Sequence, residues 1–438
     1  MHLDYRYDIL IKYVCMLNYK NNNNSWDELT KNIYYEHLKI ITSGTFREQS
    51  AEKKNIDDYF QAFEKIELAT RNKKLKENSI PLDKQGSPID GSHRVACGLI
   101  NNYKLNFIYS VSDSIVDYKY KFFDNFSFSY NAYIVDKFLN NFKNARLAII
   151  WPSNDNFTNA DDMIPNRLIR MSFNATEMQA QNVVITAYQN EWWLGNLKNR
   201  YNGSLEKVHQ CFKVEKPVKI IVFDSTSVNE VSLKNKIRTK FGMGKHSIHI
   251  TDSWQETYDK TQIFFCSNFE KWSKFTFINS SNNFLKKLKI IKSTLNLSKI
   301  DYDNILVTKG FCMELFCLRK SEDIDLSISS KNTPEKKQFF IEFTRVSDHE
   351  IYVNYFKYLG FKFWNFNYLE KNRFESKSKK LLHDQKLITN NSDVNKFVSK
   401  LFYWLQWQRN KSRRHVLNVL KDLGLYEIVR KFYRKFKR

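Results

Sequence analysis

The chain has 438 residues, and its 70 Lys and Arg against 47 Asp and Glu give a net charge of +23. A hydrophobic fraction of 42% with 16% aromatics is enough to build packed cores, which excludes a wholly disordered chain. Only 11 Gly and 6 Pro exclude collagen-like and Pro/Gly-rich classes, and a mean hydropathy of −0.56 without an apolar run of about 18 residues argues against a transmembrane helix.

At roughly 100–200 residues per domain, this length predicts about two to four domains. The N-terminal MHLDYRYDILIKYV carries charges inside its apolar stretch and has no small-residue cleavage site, so no signal peptide is expected. Six cysteines, at positions 15, 97, 211, 266, 312 and 317, include no CxxC pair. Reduced thiols in a cytoplasmic protein are the expectation. The basic balance has two explanations: a nucleic-acid or anionic-membrane partner, or Lys-rich composition spread over the surface.

In chain order, residues 1–75 read as mostly helical, with Tyr13, Met16 and Leu17 on one apolar face and a helix from Ile56. Ser25 is the expected cap of the helix after the polar run around Asn21. SIPLD reads as a strand, KQGSP as a turn, ID as a second short strand, VACGLI as a helix opened by GSHR, and KLNFIYSV as a strand. ARLAIIW at 145–151 is a buried-strand candidate stopped by Pro152. VVITAY (183–188) and VKIIVFD (218–224) are β-rich runs. A helix closed by Gly242, the strand HSIHIT and a helix begun by Ser253-x-x-Glu256 follow. This alternation predicts an α/β unit with a parallel strand pair. A helix, ILVT, DIDL and QFFIEF complete the ordered elements before a helical, basic end from about Ser392.

The segment IPLDKQGSPIDGSHRVACG carries the first chemical signal. Gly91 permits a tight backbone, and Ser92, His93 and Arg94 stand where free helix N–H groups attract phosphate. Arg94 would add a bidentate fork and His93 a donor. An ordinary strand–turn–helix explains the spacing equally well. The pattern resembles the ParB/sulfiredoxin-like fold over about 50–115. That resemblance implies a nucleotide-phosphate loop formed by Asp90, Gly91, Ser92, His93 and Arg94. No helix-turn-helix follows, so a DNA-partitioning role does not carry over.

The second signal is GFCMELFCLRKSEDIDLSI, with Asp323 and Asp325 spaced i, i+2. On a strand that spacing puts both carboxylates on one face, where a divalent cation or a basic group relieves their repulsion. The surroundings resemble the polymerase-β-type nucleotidyltransferase fold over about 300–385. The resemblance implies that Gly310 opens the substrate element, Arg319 meets phosphate, Asp323 and Asp325 hold Mg²⁺, and Glu342 is the third carboxylate, with Asp348 and Glu350 as alternatives. The family's Ser after the Gly is Phe311 here.

Gly242, Gly244, Lys245, His246, His249 and Asp252 form a weaker constellation whose His-x-x-His spacing does not suit a metal on a strand. The tract, with 190–212 and 355–373, is similar to uncharacterised proteins of bacterial surface-polysaccharide loci. At the end of the chain, Leu425, Ile428, Val429, Phe432 and Phe436 share one helical face, and residues 409–438 net +9. Such a helix fits the inner face of a membrane or docks on its own domain.

Together these features predict an α+β and α/β multidomain chain. Its expected parts are a ParB/sulfiredoxin-like segment in 1–150, a central α/β domain in 151–290, a nucleotidyltransferase-like domain in 291–395 and a basic amphipathic tail in 396–438. The expected activity is Mg²⁺-dependent phosphoryl or nucleotidyl transfer in surface-polysaccharide assembly. A nucleoside triphosphate and a glycan or sugar-phosphate acceptor would be its substrates. The rival expectations are a nucleic-acid-binding protein, using its aromatics for stacking, and an inactive nucleotide-binding scaffold.

Overall fold

Helix α1 (Tyr7–Asn21) is buried from Tyr7 to Met16 on every side, because α2 (Glu28–Ile41), α4 (Ser92–Asn101) and α6 (Asn131–Asn141) all pack around it. The computed structural model describes residues 1–47, 53–77, 79–110, 116–126, 128–153, 160–212, 217–297, 301–321, 323–329, 341–345 and 353–374. Met1–Asn372 form one compact unit and Arg373–Arg438 a second. The fold is mixed α and β. No helix among the described residues is long and apolar enough to cross a membrane.

Asp27, not Ser25, caps α2, accepting from the Thr30 N–H at 2.7 Å; a carboxylate two residues closer to the free amides wins. Helix α3 (Ile56–Arg71) begins at the expected Ile56, fixed by an Asn55–Asp58 capping box. Strands β1 (Ser79–Leu82) and β2 (Asn106–Tyr109) pair in parallel across α4; of the expected order only the second short strand is missing, since Ile89 and Asp90 form a bend. Every residue of β2 is exposed; Phe107, Ile108 and Tyr109 retain 44, 57 and 68% of their accessible surface. Helix α5 (Tyr120–Asn125) leads into α6.

The central sheet has the order β4-β5-β3-β6, built from β3 (Ala145–Ile150), β4 (Arg167–Asn174), β5 (Pro217–Asp224) and β6 (Ile248–Ile250). All of its pairs are antiparallel. The expected parallel pair is therefore absent from this sheet: β5 and β6 run the same way, but β3 lies between them. VVITAY is not a strand either. It belongs to helix α7 (Glu177–Ala187), where a Thr176–Gln179 capping box and burial around most of the helix override β-branched propensity. Helix α8 (Asn202–Cys211) precedes β5, and α9 (Glu230–Phe241) ends at Gly242 with φ +65°, as its sequence predicts. Helix α10 (Trp254–Thr261) starts at the Ser253 cap and passes into a π-helical turn, Gln262–Cys266, before the short α11 (Phe269–Trp272).

After α12 (Asn282–Leu297) a five-stranded sheet has the order β10-β11-β7-β8-β9. Its strands are β7 (Ile305–Val307), β8 (Ile324–Ile328), β9 (Ile341–Arg345), β10 (Tyr355–Tyr358) and β11 (Phe361–Trp364). Helix α13 (Lys309–Leu315) connects β7 to the antiparallel β8, β9 runs parallel to β8, and α14 (Phe366–Phe374) follows β11.

Asp136 on α6 ties these parts together. Its buried carboxylate accepts from the hydroxyls of Tyr258 on α10 and Tyr355 on β10, and from Gln262 Nε2 at 3.4 Å. Asp136→Ala leaves two buried hydroxyls without their acceptor, so it should lower unfolding free energy by about 3–5 kcal/mol. Tyr355→Phe should cost less, about 1–2 kcal/mol, because the carboxylate keeps its other donors. Urea denaturation of the full chain would check the order of the two effects.

Candidate functional site

The residues singled out in 310–325 meet where β7 turns into α13. Lys309 has φ +47°, which non-glycine residues rarely adopt, and the Gly310 N–H donates to Asp325 Oδ2 at 3.0 Å. Lys309 Nζ lies 3.8 Å from the other oxygen of Asp325. A Cβ on Gly310 would stand 3.1 Å from Ser321 Oγ, 3.2 Å from Arg319 Nη2 and 3.3 Å from Asp325 Oδ2. Gly310, Arg319, Ser321 and Asp325 thus close around one small cradle.

Asp323 departs from the strand-spacing argument. It occupies a bend before β8, which begins at Ile324, and it is exposed while Asp325 is 5% exposed. Ser321 Oγ holds that bend by donating to the Asp323 carbonyl at 2.6 Å and lying 3.2 Å from Asp323 Oδ1. Parallel β8–β9 pairing puts Glu342 in register with Asp325. Asp348 and Glu350 lie outside the described residues. Phe311 packs into the core, stacked on Phe284 at 5.0 Å with Lys287 Nζ 5.7 Å from its ring centre. That explains why no hydroxyl stands there: the position faces other rings, not the cradle.

At the DGSHR loop, Gly91 has φ +75° and precedes α4. Its side chains have protein partners. Ser92 Oγ accepts from Lys12 Nζ at 2.7 Å, and Lys12 also reaches Asp8 at 2.9 Å. Arg6 grips the same Asp8 through two bonds of 2.9 and 3.0 Å. Burial alone would raise the Asp8 carboxyl, but Arg6 and Lys12 outweigh it and hold it far below the usual range. His93 Nε2 meets the Tyr34 hydroxyl at 2.7 Å, and its ring lies 4.6 Å from that of Phe63. Arg94 bonds the Ser79 carbonyl at 3.1 Å and pairs with Glu77 at 2.9 Å and Asp90 at 3.4 Å. A Cβ on Gly91 would meet Ile80 Cδ1 at 2.6 Å and Arg94 at 3.0 Å. The space a phosphate would need beside Gly91 is filled in that direction by the protein's own side chains.

In the central segment, His246 Nδ1 lies 3.2 Å from Lys207 and 3.6 Å from Cys211, while His249 faces Glu256 at 3.6 Å. The two histidines have separate partners. Among the described residues no three His, Cys, Asp or Glu side chains gather as a metal group. The tail, 396–438, lies outside the described residues.

A cavity of about 490 Å³ adjoins the Gly310 cradle, sharing Arg319 and Ser321 with it. It adds Lys287 and Asn283 of α12 and Lys320. None of these was singled out from sequence. Ser321, two residues before Asp323, had the only local signal; Lys287 stands in a Lys-rich helix where nothing distinguishes it from solvent-facing lysines. Compared with protein families, curated proteins and solved structures, the chain matches none.

Two outcomes follow from these contacts. Gly310→Ala puts a methyl 3.1–3.3 Å from three polar atoms, two of them on side chains that can shift. Stability should fall by about 1 kcal/mol or less, because those side chains can give by a few tenths of an ångström; urea denaturation of the variant beside the native chain would check it. His37 on α2 is fully buried, and neither ring nitrogen has a hydrogen-bond partner among the described residues. Burial, and then the charge of Lys12, holds its pKa well below the ordinary value. Its stabilising share is therefore present above about pH 6.5 and lost as pH falls below that, at about 1.4 kcal/mol per unit. His37→Phe should match or exceed native stability at pH 7.5 and lose less between pH 6.5 and 5.5 in denaturant titrations.

Proposed function

We propose that the chain is a Mg²⁺-dependent phosphoryl- or nucleotidyl-transfer enzyme serving surface-polysaccharide assembly. The observation that carries this reading is the Gly310 cradle, where Asp325, Arg319 and Ser321 stand 3.1–3.3 Å from the point a Cβ on that glycine would occupy. The order strand, Gly, helix, loop, then Asp-x-Asp supports it, as does the register of Glu342 with Asp325. Carboxylate oxygens are the hard donors that Mg²⁺ takes, so Asp323 and Asp325 suit it. When bound, the ion would neutralise charge on the transferred phosphate. Arg319 would hold a phosphate oxygen, and Glu342 would accept the proton of an acceptor hydroxyl. The remaining work is positioning and charge compensation.

A second reading, an inactive nucleotide-binding scaffold, is favoured by one observation: Phe311 is built into the core where the resembled fold has a phosphate-contacting Ser. Purified full-length chain incubated with each nucleoside triphosphate, with and without Mg²⁺, separates the two. Metal-dependent turnover is expected, and Asp325→Asn should reduce it by roughly two orders of magnitude or more. Nucleotide binding without turnover would favour the scaffold. Turnover unchanged in Asp325→Asn would end the transferase reading of this site.

A further inference from the structure

The cavity beside the cradle has its own chemistry. Lys287 and Lys320 line it, and among the described lining residues the one carboxylate is Glu314. That carboxylate is already matched, since its Oε2 accepts from Lys287 Nζ at 2.7 Å and from the Ser321 N–H at 2.9 Å. Lys287 also donates to the Ser321 carbonyl at 2.5 Å. An ammonium has three donors, and these bonds use two. Among the described lining residues two ammonium groups therefore face one carboxylate, and a concave wall focuses their pull on an anion.

The other lining groups narrow the ligand. No aromatic side chain is among the described lining residues, so a nucleobase would find no ring to stack on. Asn283 and Ser281 offer an amide and a hydroxyl, which suit ring hydroxyls. A volume of about 490 Å³ is that of a pocket for a small molecule.

We propose that this cavity binds a sugar phosphate, with Lys287 and Lys320 on the phosphate and Asn283 and Ser281 toward the hydroxyls. The binding claim stands on the cavity; the role of acceptor rests on the transferase reading above. In that role the reaction is nucleotidyl transfer, and because the attacking phosphate oxygen is already ionised, this acceptor needs no base from Glu342. A phosphate oxygen of the bound sugar phosphate forms a new P–O bond to the α-phosphorus of a nucleoside triphosphate. The bond between the α-phosphorus and the bridging oxygen breaks, and pyrophosphate leaves with the electron pair.

Cys317 makes the test possible. It lines the cavity and is the one cysteine of six that is not buried. Burial pushes its thiol up to about 12, so maleimide labelling is slow enough to follow by mass spectrometry of the full-length chain. Glucose 1-phosphate, galactose 1-phosphate and ribose 5-phosphate are offered singly, beside glucose, AMP and inorganic phosphate. At least one sugar phosphate should slow Cys317 labelling several-fold, the three controls should not, and Lys320→Glu should abolish the protection. Protection by AMP or inorganic phosphate as strong as by any sugar phosphate, or protection by none, overturns the proposal. Asp325→Asn should keep the protection while ending turnover. Protection in a chain with no transfer activity would remove the acceptor role and leave the binding site.

Discussion

One carboxylate, Asp136, does what no single sheet or helix does in this chain: it takes hydrogen bonds from elements more than a hundred residues away in both the central segment and the last sheet. Burying an acid is costly, and the cost is offset only when both of its oxygens accept hydrogen bonds. Tyr258, Gln262 and Tyr355 meet that requirement together. The requirement runs both ways. Burial and the nearby carboxylate push the phenols of Tyr258 and Tyr355 far above their ordinary range, so they stay neutral donors. Helix α6, the α10–π-helix junction and β10 are held to one relative placement within Met1–Asn372. The last sheet, which carries the Gly310 cradle, is thereby fixed against the helices before it.

Much of the fold is legible where the signal is local. Gly242 closes α9 because only a residue at ease with positive φ ends a helix there. Ser253 opens α10, and the apolar run at 145–150 is a strand buried along nearly its whole length. The failures have a common cause. VVITAY reads as strand because Val, Ile and Thr favour one, yet its first turn is fixed by Thr176 and Gln179, seven and four residues upstream of Val183. The neighbour relations of β5, β3 and β6 depend on pairings across tens of residues that no local pattern encodes. Asp136 and Tyr355, 219 residues apart, are the extreme case.

The site divides in the same way. Gly310, Arg319 and Asp325 are brought together because a strand–helix–strand of fewer than 25 residues leaves few alternatives. Asp323 is one residue short of the strand, so the i, i+2 argument ends at a boundary that sequence locates poorly. At Gly91 the local geometry is as expected, but the use of each side chain is set by α1 and α2, far upstream. Lys12 takes Ser92, and Tyr34 takes His93. The cavity's Lys287 and Asn283 come from a third element, α12, that carries no motif.

Strand β2 has a consequence for handling the molecule. It is one half of a two-stranded parallel sheet, Phe107, Ile108 and Tyr109 are exposed, and among the described residues no third strand pairs with it. An apolar open edge is a template for another strand. The counterweight is the charge of +23, which keeps copies apart at a distance. That repulsion reaches about 8 Å at physiological ionic strength and about 3 Å at 1 M salt. Concentrated salt, the usual remedy for sticky basic proteins, removes the repulsion and leaves the edge. The colloidal behaviour of this chain should therefore run in reverse, dispersed in dilute buffer and self-associating as salt is added.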